Sequence, residues 1–99
     1  MKIPELTNDN ITSFLKLDNY EDLDESEQEI INLIKESAFS YIQEETGLST
    51  EQIEDKDDLT IAYLSLCQDF YDNRALQIDK NTVNNTVDTI LSRHRINLI

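Results

Sequence analysis

The single cysteine and the single histidine of the chain are the first candidates for chemistry, because a thiol beside an imidazole can act as a nucleophile. Cys67 lies inside the most apolar stretch, "LTIAYLSLC", and His94 is expected on the apolar face of the last helix. A cysteine in such a stretch is usually an inert, buried small side chain. A zinc site would need four ligands at short paired spacings. The sequence therefore predicts neither a thiol nucleophile nor a zinc centre.

An acidic connector, "DNYEDLDESEQE", superficially suggests a calcium loop that starts at Asp18. An EF-hand loop needs an oxygen ligand at its third position and glycine at its sixth. Tyr20 and Leu23 occupy those positions. The connector is therefore interpreted as a solvated acidic loop, and no metal ion is expected. The single glycine cannot build a phosphate-binding loop, so no cofactor is expected either.

The negative charge of the chain is concentrated in its first part. The formal net charge is −13, and residues 1–58 hold 17 acids and 4 bases, whereas residues 59–99 hold 4 of each. Such a surface should not bind the DNA backbone, because that affinity depends on lysine and arginine displacing counterions. It is suited to repelling DNA, keeping a crowded assembly in solution, or meeting a basic partner.

The composition favours one small all-α domain over residues 1–99. Glycine and proline each occur once among the 99 residues, too few for the turns of an all-β fold. Apolar residues recur at helical spacing, which predicts a bundle of about four helices over 7–17, 27–46, 59–75 and 82–94. No segment resembles a membrane span, and the lone cysteine suits a reducing cytoplasm.

Local signals predict where the helices begin and end. Thr7 is the expected N-cap of the first helix, and Ser26 with Glu29 matches a capping box for the second. Gly47 stands where a left-handed residue ends that helix. Residues 49–58 form a polar link with room for one helical turn, and Asp57 or Asp58 can cap the third helix. The third helix is apolar around nearly its whole circumference, which is typical of a central helix.

The stretch "DFYDNRALQID" places Asn73 and Arg74 directly after the apolar core of the third helix. Neither residue type is common inside a core. Arg74 has three acidic neighbours in the sequence, Asp69, Asp72 and Asp79. Two interpretations stay open: Arg74 pairs with these acids inside the chain, or Asn73 and Arg74 contact a neighbouring molecule.

The C-terminal end carries a small basic cluster followed by an apolar tail. Arg93 and Arg95 flank His94, and cations at a helix C-terminus stabilise the helix dipole by ~0.3–1 kcal/mol. The cluster either serves that purpose or contacts a partner. The tail, which holds Ile96, Leu98 and Ile99, either folds back on its own domain or binds another subunit.

Taken together, these segments resemble the head–tail connector (adaptor, or DNA-packaging) proteins of long-tailed double-stranded-DNA phages and prophages. "EIINLIKESAFSYIQEETG" is similar to the family's first long helix, and "DLTIAYLSLCQDFYDNRAL" to its central helix. The latter ends in the family's tyrosine-x-asparagine-arginine signature, here Tyr71, Asn73 and Arg74. "VNNTVDTILSRHRINLI" is similar to the closing helix. The resemblance covers nearly the whole chain, and residues 49–58 are its least specific part.

The resemblance implies a structural virion protein without enzymatic activity or cofactor. Family members assemble as a homo-oligomeric ring of about a dozen subunits, which needs a heterologous interface that closes on itself. The ring docks on the portal after DNA packaging, extends the DNA channel, and meets the next head-completion or tail protein. DNA passes through without specific binding, and no membrane is involved. The expected location is the virion, with the host cytoplasm during assembly.

Two sets of site residues follow from this hypothesis. The interface with neighbouring molecules is expected to include Tyr71, Asn73, Arg74, Arg93, Arg95, Ile96, Leu98 and Ile99. The channel lining is expected to include Asp22, Asp24, Glu25, Asp57 and Asp58, because an acidic lumen would resist adhesion of DNA.

A different class of function competes with the connector. A chain this acidic is also suited to a non-enzymatic regulator, or a DNA mimic, that binds a basic partner. A small enzyme subunit is disfavoured by the missing nucleophile and metal ligands. Light scattering after size-exclusion chromatography separates the first two, because a regulator would not assemble even with a portal.

Overall fold

A computed structural model describes residues 2–73 and 85–94, and all regular structure in those ranges is helical. Five α-helices follow one another: α1 (Asn8–Phe14), α2 (Glu25–Thr46), α3 (Thr50–Glu54), α4 (Leu59–Asn73) and α5 (Asn85–Ser92). Two 3₁₀ turns, Ile3–Glu5 and Tyr20–Asp22, precede α1 and α2. The predicted all-α bundle is confirmed over this part of the chain.

Helix α4 is the centre of the domain. It contacts α2, α5, α1 and the first 3₁₀ turn. Its core face consists of fully or almost fully buried side chains: Leu59, Ala62, Tyr63, Leu66, Cys67 and Phe70. The prediction that this helix is central is confirmed, although its apolar surface does not reach all the way around.

Helix α2 is the longest helix and is amphipathic. Its buried residues recur at three- and four-residue spacing, which places them on one face: Ile31, Ile34, Ala38, Ile42 and Thr46. The hydroxyl of Thr46 is satisfied inside this face, because it donates to the Ile42 carbonyl at 2.7 Å and accepts from the Leu48 amide at 3.2 Å. Burial of the polar Thr46 side chain at the end of this buried face therefore costs little free energy of folding.

N-cap side chains that accept hydrogen bonds from backbone amides stand before the first residues of α1 and α2. Thr7 accepts from the Asn10 amide at 3.1 Å, which confirms the predicted cap of α1. The capping box predicted at Ser26 and Glu29 is wrong, because Asp24 accepts from the Glu27 amide at 2.8 Å and α2 begins at Glu25. Aspartate is as good an N-cap as serine, so the helix extends to the earlier signal.

Helix α2 ends where the sequence predicted. Gly47 has a φ of 74°, in the left-handed region, and its amide donates to the Gln43 carbonyl. Leu48 is buried directly after it, which is the hydrophobic contact that usually accompanies such an end. The chain then makes the single short helix α3 in the polar link, capped by Ser49 through the Gln52 amide.

Two side-chain contacts show how α2 and α5 are oriented relative to α4. The hydroxyl of Tyr71, near the end of α4, donates to a carboxylate oxygen of Glu27, near the start of α2, at 3.2 Å. His94, after the end of α5, lies 2.7 Å from Asp58, just before the start of α4. Both α2 and α5 therefore run antiparallel to α4.

Two apolar side chains lie where the sequence did not predict them. Ile61, expected in the all-round apolar surface of α4, is 57% exposed. Leu33, an apolar residue in the first half of the amphipathic helix α2, is 48% exposed. Helix α4 keeps a solvent-facing side because its neighbours cover only one broad face. Leu33 lies on the side of α2 opposite to the buried stripe.

The cap at Asp24 gives a direct test of where α2 begins. We expect Asp24→Ala to lower the free energy of unfolding by about 1 kcal/mol, because the Glu27 amide loses its acceptor. Asp24→Asn retains an acceptor and should cost much less. Ser26→Ala, inside the exposed first turn, is the matched control and should have little effect. Urea denaturation followed by circular dichroism measures all three, and a larger loss in Ser26→Ala than in Asp24→Ala would contradict the assignment.

Candidate functional site

Cys67 is placed as a core residue rather than as a nucleophile. Its side chain is fully buried. Burial raises the pKa of the Cys67 thiol to about 12, and the smaller influences of Tyr63 and Lys35, which lower it, do not offset this. Burial and the neighbouring Cys67 also raise the pKa of the Tyr63 phenol. Both groups are therefore neutral and inaccessible at pH 7.

His94 is placed at the surface end of α5, where it contacts Asp58. Its Nε2 atom lies 2.7 Å from Asp58 Oδ2. Burial by itself would raise the pKa of the Asp58 carboxyl, but the hydrogen bond and charge of His94, with help from Arg93, hold it below its ordinary value. Arg93 is exposed and acts on the same carboxylate. The described part of the basic cluster thus faces an acid of its own chain.

The N-terminal segment reaches the same region of the molecule. Lys2 Nζ donates to Asp55 Oδ1 at 3.3 Å, in an exposed ion pair. The pKa of Lys2 is raised by this bond and further by the charge of Asp57. The two ends of the described chain are therefore tied to the segment between α3 and α4. We call Lys2, Asp55, Asp58, Arg93 and His94 the terminal charge cluster.

The tyrosine-x-asparagine-arginine signature is only partly described. Tyr71 is half-buried and uses its hydroxyl within the chain, on Glu27. Asn73 is the last residue of α4. Of the interface residues predicted from the sequence, the side chain of Asn73 and all of Arg74, Arg95, Ile96, Leu98 and Ile99 lie outside the described residues. Their assignment stays a prediction.

The predicted channel-lining acids form two groups rather than one patch. Asp22, Asp24 and Glu25 surround the start of α2, beside the end of α4. Asp57 and Asp58 precede the start of α4. Because the 13 residues from Asp58 to Tyr71 rise about 20 Å along a helix, the groups are separated by roughly that distance along the axis of α4. Asp24 and Asp58 also have structural roles, as the cap of α2 and as the partner of His94.

Sequence reasoning missed the exposed apolar side chains. Phe14, Leu33 and Ile61 are 40%, 48% and 57% exposed and lie on three different helices. The signal for Leu33 was available in its spacing, because it follows Glu29 by four positions and precedes Glu36 by three. That spacing places it on the polar side of α2. A comparable signal was available for Ile61, because Ser65, Gln68 and Asp72 follow it at four-, three- and four-residue spacing and share its side of α4.

Nothing in the described residues points to metal chemistry or to a membrane span. No group of three or more His, Cys, Asp and Glu side chains there could hold a metal ion. None of the described helices is long and apolar enough to cross a bilayer. No protein family, no characterised protein and no solved structure matches the chain.

The burial of Cys67 predicts that its thiol reacts slowly with reagents in solution. We expect the folded protein to react with a soluble thiol reagent at pH 8 at least about a hundredfold more slowly than the urea-unfolded chain, because the thiol is protonated and covered. Absorbance of the released reagent anion measures both rates. Reaction of the native protein at the unfolded rate, with circular dichroism unchanged, would contradict the assigned burial.

The lowered pKa of Asp58 predicts a pH-dependent contribution to stability. The folded pKa lies below the ordinary value of 3.8, so the contribution is complete above that value and is lost as the pH falls through the folded pKa. We expect Asp58→Asn to destabilise the fold by about 0.2–1 kcal/mol at pH 6, since the pair is partly exposed, and to destabilise it progressively less as the pH falls below 3.8.

Asp57→Asn is the matched control for Asp58→Asn. It removes the same charge from the adjacent exposed residue, and in so acidic a chain it should be neutral or slightly stabilising. Thermal melts at several pH values compare the two variants. Equal effects at pH 6 would mean that the His94–Asp58 contact contributes nothing beyond net charge.

Proposed function

We propose that this chain is a non-enzymatic, ring-forming connector that docks on a phage portal and extends the DNA channel towards the tail. The proposal rests on the resemblance given above, from the first long helix through the signature at the end of the central helix. The all-helical architecture and the central position of α4 are compatible with it. The proposed location is accordingly the virion, and the host cytoplasm during assembly.

Surplus apolar surface is the observation that carries the proposal. A cyclic ring of identical subunits needs two different adhesive faces on each subunit, and docking on the portal needs a third surface. Phe14 on α1, Leu33 on α2 and Ile61 on α4 are exposed on three separate helices of a small domain. Single exposed apolar residues are common in monomers, so their distribution over three helices matters more than their number.

The exposed acids support the proposed channel. Asp22, Glu25 and Asp57 are exposed, and like-charged walls would keep the DNA backbone from adhering to the lumen. The two acidic groups are separated by about 20 Å along α4. If both line the channel, then α2 and α4 run along the channel rather than around it. Charge reversal in one group alone would then slow genome passage.

Tyr71 supports a structural role for the signature. Its hydroxyl ties the end of α4 to the start of α2, so that the chain leaves α4 from a fixed position. We propose that Asn73 and Arg74 continue from that fixed point into contact with a neighbouring subunit, in which Arg93, Arg95 and the apolar tail take part. Pairing of Arg74 with acids of its own chain is the alternative.

A second candidate function is favoured by the acids themselves. Most of the acidic side chains in the described ranges are exposed, including those on the outer face of α2. A regulator, or DNA mimic, that binds a basic protein would need such a surface and no ring. Assembly state distinguishes this function from the connector.

The proposed connector is tested by electron microscopy of the protein mixed with the portal protein from the same genome. We expect rings stacked on portal particles, with the same rotational axis. A chain that stays monomeric in light scattering and adds no density to the portal would overturn the proposal and favour the regulator. Portal alone is imaged in parallel as the reference.

The exposed isoleucine allows a sharper test of the ring. We expect Ile61→Asp to keep its melting temperature and to lose ring formation, because a charge replaces an adhesive apolar side chain that the monomer does not bury. Thr89→Asp, which adds the same charge at an exposed position of α5, is the matched control and should assemble normally. Normal rings from Ile61→Asp would show that α4 does not provide an adhesive face.

A further inference from the structure

One side of α2 carries a continuous exposed stripe with an apolar centre. Its members follow one another at four-, four-, three-, four- and four-residue spacing, and all are exposed: Glu25, Glu29, Leu33, Glu36, Ser40 and Glu44. This spacing keeps them on one helical face, opposite the buried stripe. From Glu25 to Glu44 the face extends about 29 Å. We call these six residues the α2 stripe.

The four glutamates of the α2 stripe carry charge that the described part of the chain does not compensate. None of them takes part in an ion pair there, whereas Lys2 pairs with Asp55 and His94 with Asp58. Glu25 and Glu29 are four positions apart on the helix, where like charges disfavour the helix. The stripe therefore bears a repulsion that a basic partner would relieve.

An open groove borders the C-terminal half of the stripe. It has a volume of about 470 Å³ and is lined by Lys35, Glu36, Phe39, Ser40 and Tyr63. Phe39 is half-buried, so its ring offers aromatic surface in the groove, whereas Tyr63 is almost fully buried beneath it. The Lys35 ammonium already donates to Asn8 at 2.7 Å. Glu36 is thus a carboxylate at the edge of an aromatic groove.

We propose that the α2 stripe and the adjoining groove form a docking surface for a basic amphipathic helix of another protein. A helix of that kind would place an apolar residue on Leu33 and flank it with lysine or arginine side chains opposite Glu29 and Glu36. The stem of one long basic side chain would lie in the groove over Phe39, with its charge at Glu36. Cations are attracted to aromatic faces, which adds to the ion pair.

The negative charge of the α2 stripe favours a basic helix over a second copy of the chain, DNA, an anionic membrane or an uncharged helix. A second copy that presented its own α2 stripe would set four glutamates against four glutamates. DNA and anionic membrane surfaces are repelled for the same reason. An uncharged apolar helix would cover Leu33 but leave the surrounding carboxylates poorly solvated. The inference does not depend on ring formation, so failure of the portal experiment would leave it standing.

Nuclear magnetic resonance titration of the ¹⁵N-labelled protein tests the docking surface. The probe is a helical peptide of about 14 residues built from leucine and lysine, and its counterpart carries glutamate in place of lysine. We expect the lysine peptide to shift amides of the α2 stripe and the groove, in fast or intermediate exchange, and the glutamate peptide to shift none. No binding of the lysine peptide, or equal binding of both peptides, would overturn the proposal.

Paired variants separate docking from attraction by net charge. We expect Leu33→Ser, and separately the double variant Glu29→Gln/Glu36→Gln, to weaken binding by about fivefold or more. Ile61→Ser removes an exposed apolar side chain outside the α2 stripe and is the control for Leu33→Ser. Asp18→Asn/Glu51→Gln removes two exposed negative charges outside the stripe and is the control for the double variant. Both controls should change the affinity for the peptide by less than about twofold. Every position changed in these variants is exposed, so the variants should fold.

Two results would contradict the assigned surface. Equal weakening by both charge-matched double variants, with shifts spread over all acidic segments, would mean attraction by net charge alone. Concentration-dependent shifts of the α2 stripe without peptide, abolished by Leu33→Ser, would mean that a second copy covers this face.

Discussion

Mutual repulsion among the acids is the constraint on which the rest of this structure depends. The formal net charge is −13 on 99 residues, and burial of a small apolar core must outweigh the repulsion that this charge causes. The chain meets this constraint by burying α4 against α2, α5 and α1, so that the most apolar segment contributes nearly all of one broad face. The terminal charge cluster then adds local attraction where both ends of the described chain meet the segment before α4. Most of the other acids in the described ranges are exposed at the surface, where water screens them.

This arrangement divides the molecule into a neutral interior and a surface available to partners. The candidates for chemistry are used inside the fold: Cys67 is covered and protonated, and His94 faces Asp58. What the fold leaves uncovered includes apolar side chains, and Leu33 lies between Glu29 and Glu36 on one face of α2. Surfaces of this kind are suited to protein contacts rather than to catalysis. The proposed connector and the proposed basic partner of α2 both draw on that property, and Leu33 is common to the two proposals.

The sequence predicted the fold well because its strongest signals are local. Thr7 and Gly47 each stand at a position that favours one backbone geometry, an N-cap and a left-handed helix end, and the structure has both. The error at Ser26 arose because two valid caps stand two residues apart, and pattern alone does not rank Asp24 above it. The exposure of Ile61 was missed although Ser65, Gln68 and Asp72, which share its side of α4, are polar. The candidate site is tested only in part, because Arg74 and the apolar tail lie outside the described residues. The exposed apolar side chains were missed because single apolar residues on a polar helical face were assigned to the core.

The dependence of stability on salt tests the central claim, that repulsion among unpaired surface acids opposes the fold. Urea denaturation is measured at pH 7 between about 10 mM and 150 mM KCl, a range over which the screening length falls from about 30 to 8 Å. If the acids are uncompensated, screening weakens their repulsion and the free energy of unfolding increases with salt. A decrease with salt would mean that attractive ion pairs outweigh repulsion, and the acids would then be satisfied within the chain rather than available to a partner.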